Sequence, residues 1–194
     1  RAGLVLGHLS DPRPGVRLKD GLMDTDDFIE LPPGKFKLGE TGKEVVIERT
    51  YRLSRYSVTV EQYEPFKAEG YDEKNPKAPH WWGEEGWKWK VKNKITGPED
   101  YDPVFQTPNH PRVGVSWYEA MAFCRWLTER LHSSLDSASL PRLLPGQEIR
   151  LPNEAEWEQS ARWNGKTGKT DDRRYPWGGK EEKDLAQRCN MEQT

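Results

Sequence analysis

The 194 residues carry 30 Lys and Arg against 32 Asp and Glu, and the resulting net charge of -2 leaves no electrostatic footprint for nucleic acid or an anionic membrane. Only 34% of the chain is hydrophobic, yet nine Trp, seven Tyr and five Phe supply large burial areas, which excludes a disordered chain and fits one domain, or one domain with a tail. No apolar run approaches the roughly 20 residues that cross a bilayer, and no charged-then-apolar signal segment opens the sequence.

Ala2, Val5, Leu6 and Leu9 lie at helical spacing, and Asp11-Pro-Arg-Pro-Gly15 ends that pattern, because two prolines and a glycine cannot continue a helix. Residues 1–25 therefore read as the tail of an upstream helical element plus a linker, with the domain proper over 26–194. Phe28, Ile29 and Leu31, the turn Pro32-Pro-Gly34, then Phe36 and Leu38 predict two short strands joined tightly. Val45-Val-Ile47 predicts a third, and Tyr51, Leu53, Tyr56 and Val58 a fourth. A short helix follows over 60–68, with Thr59 as N-cap and Gln62 at its third position.

Residues 70–111 show little regular pattern and predict a long loop packed by its own tryptophans. Trp81, Trp82, Trp87 and Trp89 can stack on a sugar or peptide ligand or fill the core. Lys88, Lys90, Lys92 and Lys94 alternate as on a strand with one wet face. Val113-Gly-Val115 predicts a strand, and Ser116 with Glu119 a capping box opening the longest helix, whose stripe runs through Ala120, Cys124, Leu127 and Leu131. Residues 133–146 look like an inserted Ser/Pro/Leu loop, and Asn164-Gly165 marks the turn of a charged hairpin.

Two cysteines make no disulfide framework. Cys124 reads as a packed thiol; Cys189 lies in a polar loop, and a bridge between them stays open. Histidines 8, 80, 110 and 132 are scattered without a spacing that places two on one helix face, which gives no support to a zinc or non-haem iron site. Glu154, Glu156 and Glu158 crowd a first helical turn, where capping and dipole stabilisation account for them better than acid–base catalysis.

The most informative stretch is Arg150-Leu-Pro-Asn-Glu-Ala-Glu-Trp-Glu158 followed by Tyr175-Pro-Trp-Gly178. Asn153 and Glu156 form a second capping box, and the later segment a rigid aromatic turn. This wording resembles the signature of formylglycine-generating (sulfatase-modifying factor) domains. Three other segments match in order: 28–39, 56–66 and 111–127, so the resemblance covers roughly 26–194. It implies an α+β, C-type-lectin-like fold of the formylglycine-generating type, with two main helices, short antiparallel strands and long irregular loops. In catalytic members a copper-binding cysteine pair, near a C-terminal segment, oxidises a substrate cysteine to formylglycine.

Cys124 and Cys189 stand far apart, and soft Cu(I) needs two thiolates together. The expectation is that the C-terminal portion of the domain lies outside this chain. On that footing the chain reads as a non-catalytic ligand-display scaffold, akin to the retroelement-diversified variable proteins of bacteria and phage. Its ligand would bind the absent C-terminal surface, and its other partner would be that half of the domain. The rival reading is the N-terminal part of a copper-dependent formylglycine-generating oxidase. The resemblance also implies calcium held by the Asn190 side chain and the Met191 carbonyl, with chelator lowering the melting temperature. Trp81, Trp82 and Trp87 are the candidate ligand-contacting aromatics. Likeness to bacterial members points to a bacterial cytoplasm or a displayed surface.

Overall fold

A computed structural model describes residues 5–7, 9, 11–39, 41–133, 143–173 and 175–177. The chain is a mixed α+β protein that divides into two compact units. One comprises Arg1–Ile29 with Ser54–Leu151; the other comprises Glu30–Leu53 with Pro152–Thr194. Among the described residues no helix is long and apolar enough to cross a membrane.

The first unit is helical. It opens on a helical turn over 5–7 and a minimal hairpin, β1 (Leu18–Lys19) against β2 (Leu22–Met23), turning through Asp20-Gly21. Helix α1 spans Val60–Gly70. The Thr59 hydroxyl accepts the Gln62 amide at 3.2 Å, and Gln62 Oε1 accepts the Thr59 amide at 3.0 Å, so the predicted capping box is present. The same two side chains reach outward. Gln62 Nε2 donates to the carbonyls of Gly15 and Arg17, and the Thr59 hydroxyl to that of Val16. Residues 15–17, expected to serve as a linker, are thus tied to α1, and Val16 and Met23 are buried.

Helix α2, Ala78–Lys92, runs through the segment expected to be an irregular loop, and Lys88, Lys90 and Lys92 lie on it rather than on a strand. It kinks at Gly83, where φ is 69° and ψ 170°. Helix α3, Trp117–Ser133, starts at the expected box: Glu119 Oε2 accepts the Ser116 amide at 2.8 Å, and the Ser116 hydroxyl accepts the Glu119 amide at 3.3 Å. The expected strand at 113–115 is instead irregular chain that bends at Gly114. Gly114 has φ of 73°, and its carbonyl accepts the Glu99 amide at 2.8 Å.

The helical core lies where α1, α2 and α3 present aromatics to one another. Tyr63 stacks on Phe123 with centroids 5.2 Å apart, Phe66 packs edge-on to both, and Trp126 leans on Phe66 and Phe123. Phe66, Trp81, Trp82, Trp126, Leu127 and Leu131 are fully enclosed. Each large aromatic removes far more apolar area from water than an aliphatic, so a sequence poor in aliphatics still builds a core.

The second unit is a small sheet-and-helix layer. Strand β3 (Ile29–Leu31) pairs with β6 (Tyr51–Leu53), and β4 (Gly34–Leu38) pairs antiparallel with β5 (Lys43–Ile47), with Phe36 opposite Val45. The expected tight hairpin between 28–31 and 36–38 is therefore absent: Pro32 and Pro33 have no amide hydrogen for a ladder, and each flanking strand finds another partner. Leu31, Phe36 and Ile47 are buried.

Helix α4, Glu154–Ala161, begins with the expected second box, Asn153 Oδ1 accepting the Glu156 amide and Glu156 Oε2 accepting the Asn153 amide, both at 2.9 Å. Asn153→Ala is expected to lower stability by about 1 kcal/mol, with Asn153→Asp near neutral, readable by denaturant titration. Strands β7 (Trp163–Asn164) and β8 (Lys169–Thr170) form the hairpin anticipated from Asn164-Gly165.

Candidate functional site

The sequence-derived candidates fall in three places. Trp81 and Trp82 are each 1% exposed and belong to the core. Their indole N–H groups are spent internally, on Glu129 Oε2 at 2.7 Å and on the Gly70 carbonyl at 2.7 Å, so neither offers a face to a ligand. Trp87 is half-buried, with the Lys90 ammonium 4.9 Å from its ring centroid. Asn190 and Met191, the calcium candidates, lie outside the described residues, as does Cys189.

Two of the three α4 acids, Glu156 and Glu158, are engaged in local structure. Glu156 closes the capping box, while the Glu158 carboxylate accepts the Gly39 amide at 2.9 and 3.0 Å and pairs with Arg162 at 2.7 Å. Tyr51 donates to the Glu156 carbonyl at 2.7 Å. In the aromatic turn, Tyr175 and Trp177 stack nearly parallel, with centroids 5.1 Å apart.

Two features of the helical unit escaped the sequence. The first is a buried polar line through the core: the Tyr71 hydroxyl donates to Glu119 Oε1 at 2.6 Å and lies 2.9 Å from the Tyr63 hydroxyl. Glu119 shows in the sequence only as a capping acid; nothing local announces that its second oxygen receives a phenol from 48 residues away. Burial pushes both phenols far above the usual tyrosine range, and for Tyr71 the neighbouring Tyr63 adds to the effect.

The second is the bracket around the α2 kink. One nitrogen of Arg125 donates to the carbonyls of Trp81 and Trp82, both at 3.0 Å, satisfying backbone groups that the kink releases. A β-carbon at Gly83 would sit 2.9 Å from that nitrogen, so any side chain here would displace the guanidinium, and the positive φ itself favours glycine. Beside the kink opens a groove of about 240 Å³ walled by Trp117, Tyr118, Met121 and Arg125, with Glu84 and Glu85 at its rim. A larger cleft of about 450 Å³ lies along α1, lined by Leu18, Val60, Glu61, Glu64, Pro65 and Pro108.

Metal chemistry finds no ready-made donor set here. Among the described residues no three His, Cys, Asp or Glu side chains gather to hold an ion. His80 is exposed on α2, His110 sits in the 107–110 turn, and His132 ends α3 facing the Gln147 carbonyl at 3.0 Å. Cys124 is a buried free thiol whose pKa burial pushes up to about 11. A copper site wants thiolates that form readily, and burial of Cys124 works against that.

The raised acids have a pH consequence. Cys124 rises from 9.0 to about 11 and Tyr51 from 10.0 to about 12, each chiefly through burial, with Tyr63 and Tyr71 displaced the same way. Folded values above unfolded ones mean stability complete below pH 9 and lost as pH rises through 9 to 12. Thermal melts are expected to be flat on this count from neutral pH to 9 and to fall beyond it. Cys124 is also expected to resist iodoacetamide at pH 8 until the protein is unfolded.

The profile of the sulfatase-modifying factor enzyme 1-like domain matches residues 16–194. The chain is 30% identical to the formylglycine-generating enzyme of Thermomonospora curvata over 84% of its own length and 56% of that relative. It is 33% identical to the formylglycine-generating enzyme of Bos taurus over 53% of its length and 20% of the relative. It is also 26% identical to the hercynine oxygenase of Mycolicibacterium thermoresistibile over 86% of its length and 34% of the relative. The chain thus spans between a fifth and just over half of these relatives. The match begins at the segment that Thr59 and Gln62 anchor, and it takes in all three capped helices. The profile match covers most of the chain, whose capped helices and short antiparallel strands accord with it: this chain belongs to the sulfatase-modifying factor enzyme 1-like domain family.

Proposed function

We propose that the protein is an oxidase of the formylglycine-generating type, acting on a cysteine in a peptide substrate, and that the residues described here are the scaffold on which its catalytic centre is built. The observation that carries this reading is the match across 16–194, joined to relatives that bear enzyme names. Those names favour an enzyme over the display scaffold suggested by the dispersed cysteines, and they lend no support to a retroelement-diversified variable protein.

The interior fits a supporting part in such an enzyme. Cys124 is packed in the core and burial raises its thiol pKa, which suits a structural part better than that of a nucleophile. Arg125 brackets the α2 kink and Glu119 ties α3 to Tyr71, contacts of the kind that hold a supporting scaffold in place. A hercynine-oxygenating activity draws less on this chain: the identity is lower, and the described histidines do not converge.

The test is conversion of a Cys-x-Pro-x-Arg peptide by the full-length protein supplied with Cu(I) and oxygen. An aldehyde captured by a hydroxylamine probe is the expected product. Binding of the peptide without any aldehyde would favour the scaffold instead.

A further inference from the structure

Five of the readily oxidised side chains of the helical unit stand in single file. Trp117, 62% exposed, has its ring centroid 5.3 Å from Tyr118. Tyr118 is 5.3 Å from Trp89, Trp89 is 6.4 Å from Trp82, and Trp82 is 5.3 Å from Tyr71. At the buried end the Tyr71 hydroxyl rests 2.6 Å from Glu119 Oε1. Phe66 and Phe123, which pack the same core, lie off this line.

Indole and phenol are the aromatic side chains that most readily give up one electron, and tunnelling through protein decays steeply with distance. A row of near-touching rings therefore carries an electron vacancy farther than a single jump. An oxidised phenol is a strong acid and holds the vacancy only if its proton has somewhere to go. Tyr71 alone among these rings has a carboxylate in contact with its hydroxyl.

We propose that Trp117, Tyr118, Trp89, Trp82 and Tyr71 form a hole-transfer path that moves an oxidising equivalent from the protein surface to Tyr71, with Glu119 as proton acceptor. A one-electron oxidant removes one electron from the Trp117 indole. Electrons then pass outward along the rings, with Tyr118 as bridge, until Tyr71 supplies the electron that restores Trp82. The Tyr71 O–H bond breaks as this happens, its proton moving to Glu119 Oε1. The products are a neutral Tyr71 radical, a protonated Glu119, the reduced oxidant and four restored rings. Burial raises the Tyr71 phenol pKa, so its proton is still in place when the electron leaves. The path rests on ring geometry and not on the substrate proposed above.

The experiment is flash generation of tris(bipyridine)ruthenium(III) in a solution of the protein, followed by freezing and electron paramagnetic resonance in the presence of ascorbate. Ascorbate removes radicals on exposed Tyr56 and Tyr101, while Tyr71, 6% exposed, is shielded. The expected result is an ascorbate-resistant tyrosyl signal that disappears in Tyr71→Phe. It should also be lost in Trp117→Phe and retained in Trp157→Phe, which alters an equally exposed tryptophan of the other unit. Absence of the signal in wild type, or equal yields in Trp117→Phe and Trp157→Phe, overturns the path. Both of those variants change exposed side chains, so the comparison decides the matter even if Tyr71→Phe fails to fold.

Discussion

Trp82→Ala is expected to lower the stability of the protein by about 3–5 kcal/mol, the range for deleting a buried aromatic. Trp82 is 1% exposed, packs edge-on against Tyr71 and donates its indole N–H to the Gly70 carbonyl at 2.7 Å. Alanine would leave a cavity between α1 and α2 and an orphaned carbonyl at the end of α1. Trp82→Phe separates the two effects: it keeps most of the packing and loses the hydrogen bond, for about 1–3 kcal/mol. Since a domain of this kind holds only about 5–15 kcal/mol in total, the alanine variant is expected to melt far below wild type. Denaturant midpoints of the three proteins check the order.

The second large effect lies at the Gly114 bend. Gly114 has φ of 73°, and a β-carbon there would sit 2.2 Å from the Glu99 carbonyl oxygen, with further backbone atoms at 3.0 and 3.1 Å. A flexible side chain could swing away; a carbonyl that belongs to a chain held by the Glu99–Gly114 hydrogen bond cannot. Gly114→Ala combines a left-handed backbone with overpacking and is expected to cost about 2–5 kcal/mol. Gly146→Ala is the control: its φ is 82° but nothing lies within 4 Å, so backbone strain alone acts and a smaller loss is expected. Equal melting shifts for the two variants would show that the Glu99 carbonyl yields.

What could be foreseen from the sequence divides by range of interaction. All three capping boxes were legible because each needs only two side chains three positions apart: Thr59 with Gln62, Ser116 with Glu119, Asn153 with Glu156. The 163–170 hairpin was legible for the same reason. Helix α2 was not, since its buried positions include glycine and lysine. Ala78, Trp82, Gly86 and Lys90 recur every fourth residue, which is a helical period, but hydrophobicity alone hides it. The alternation of Lys88, Lys90, Lys92 and Lys94 suggested a strand and misled, because Lys90 is fully buried with its ammonium against Glu73 and Trp87.

Strand pairing was similarly beyond reach. The Pro32-Pro33-Gly34 turn was visible, but which strands join across space depends on partners at 43–47 and 51–53. The Tyr71–Glu119 contact spans 48 residues and left no trace in local pattern. The family resemblance supplied what local reasoning lacked, and the profile match over 16–194 bears it out.

One comparison tests the central claim most directly: the full-length protein given, side by side, a Cys-x-Pro-x-Arg peptide with Cu(I) and hercynine with Fe(II), the products followed by mass spectrometry. The expected result is peptide aldehyde that depends on copper, with hercynine unchanged. Oxygenated hercynine with no aldehyde, or no turnover of either substrate under any metal loading, would contradict it.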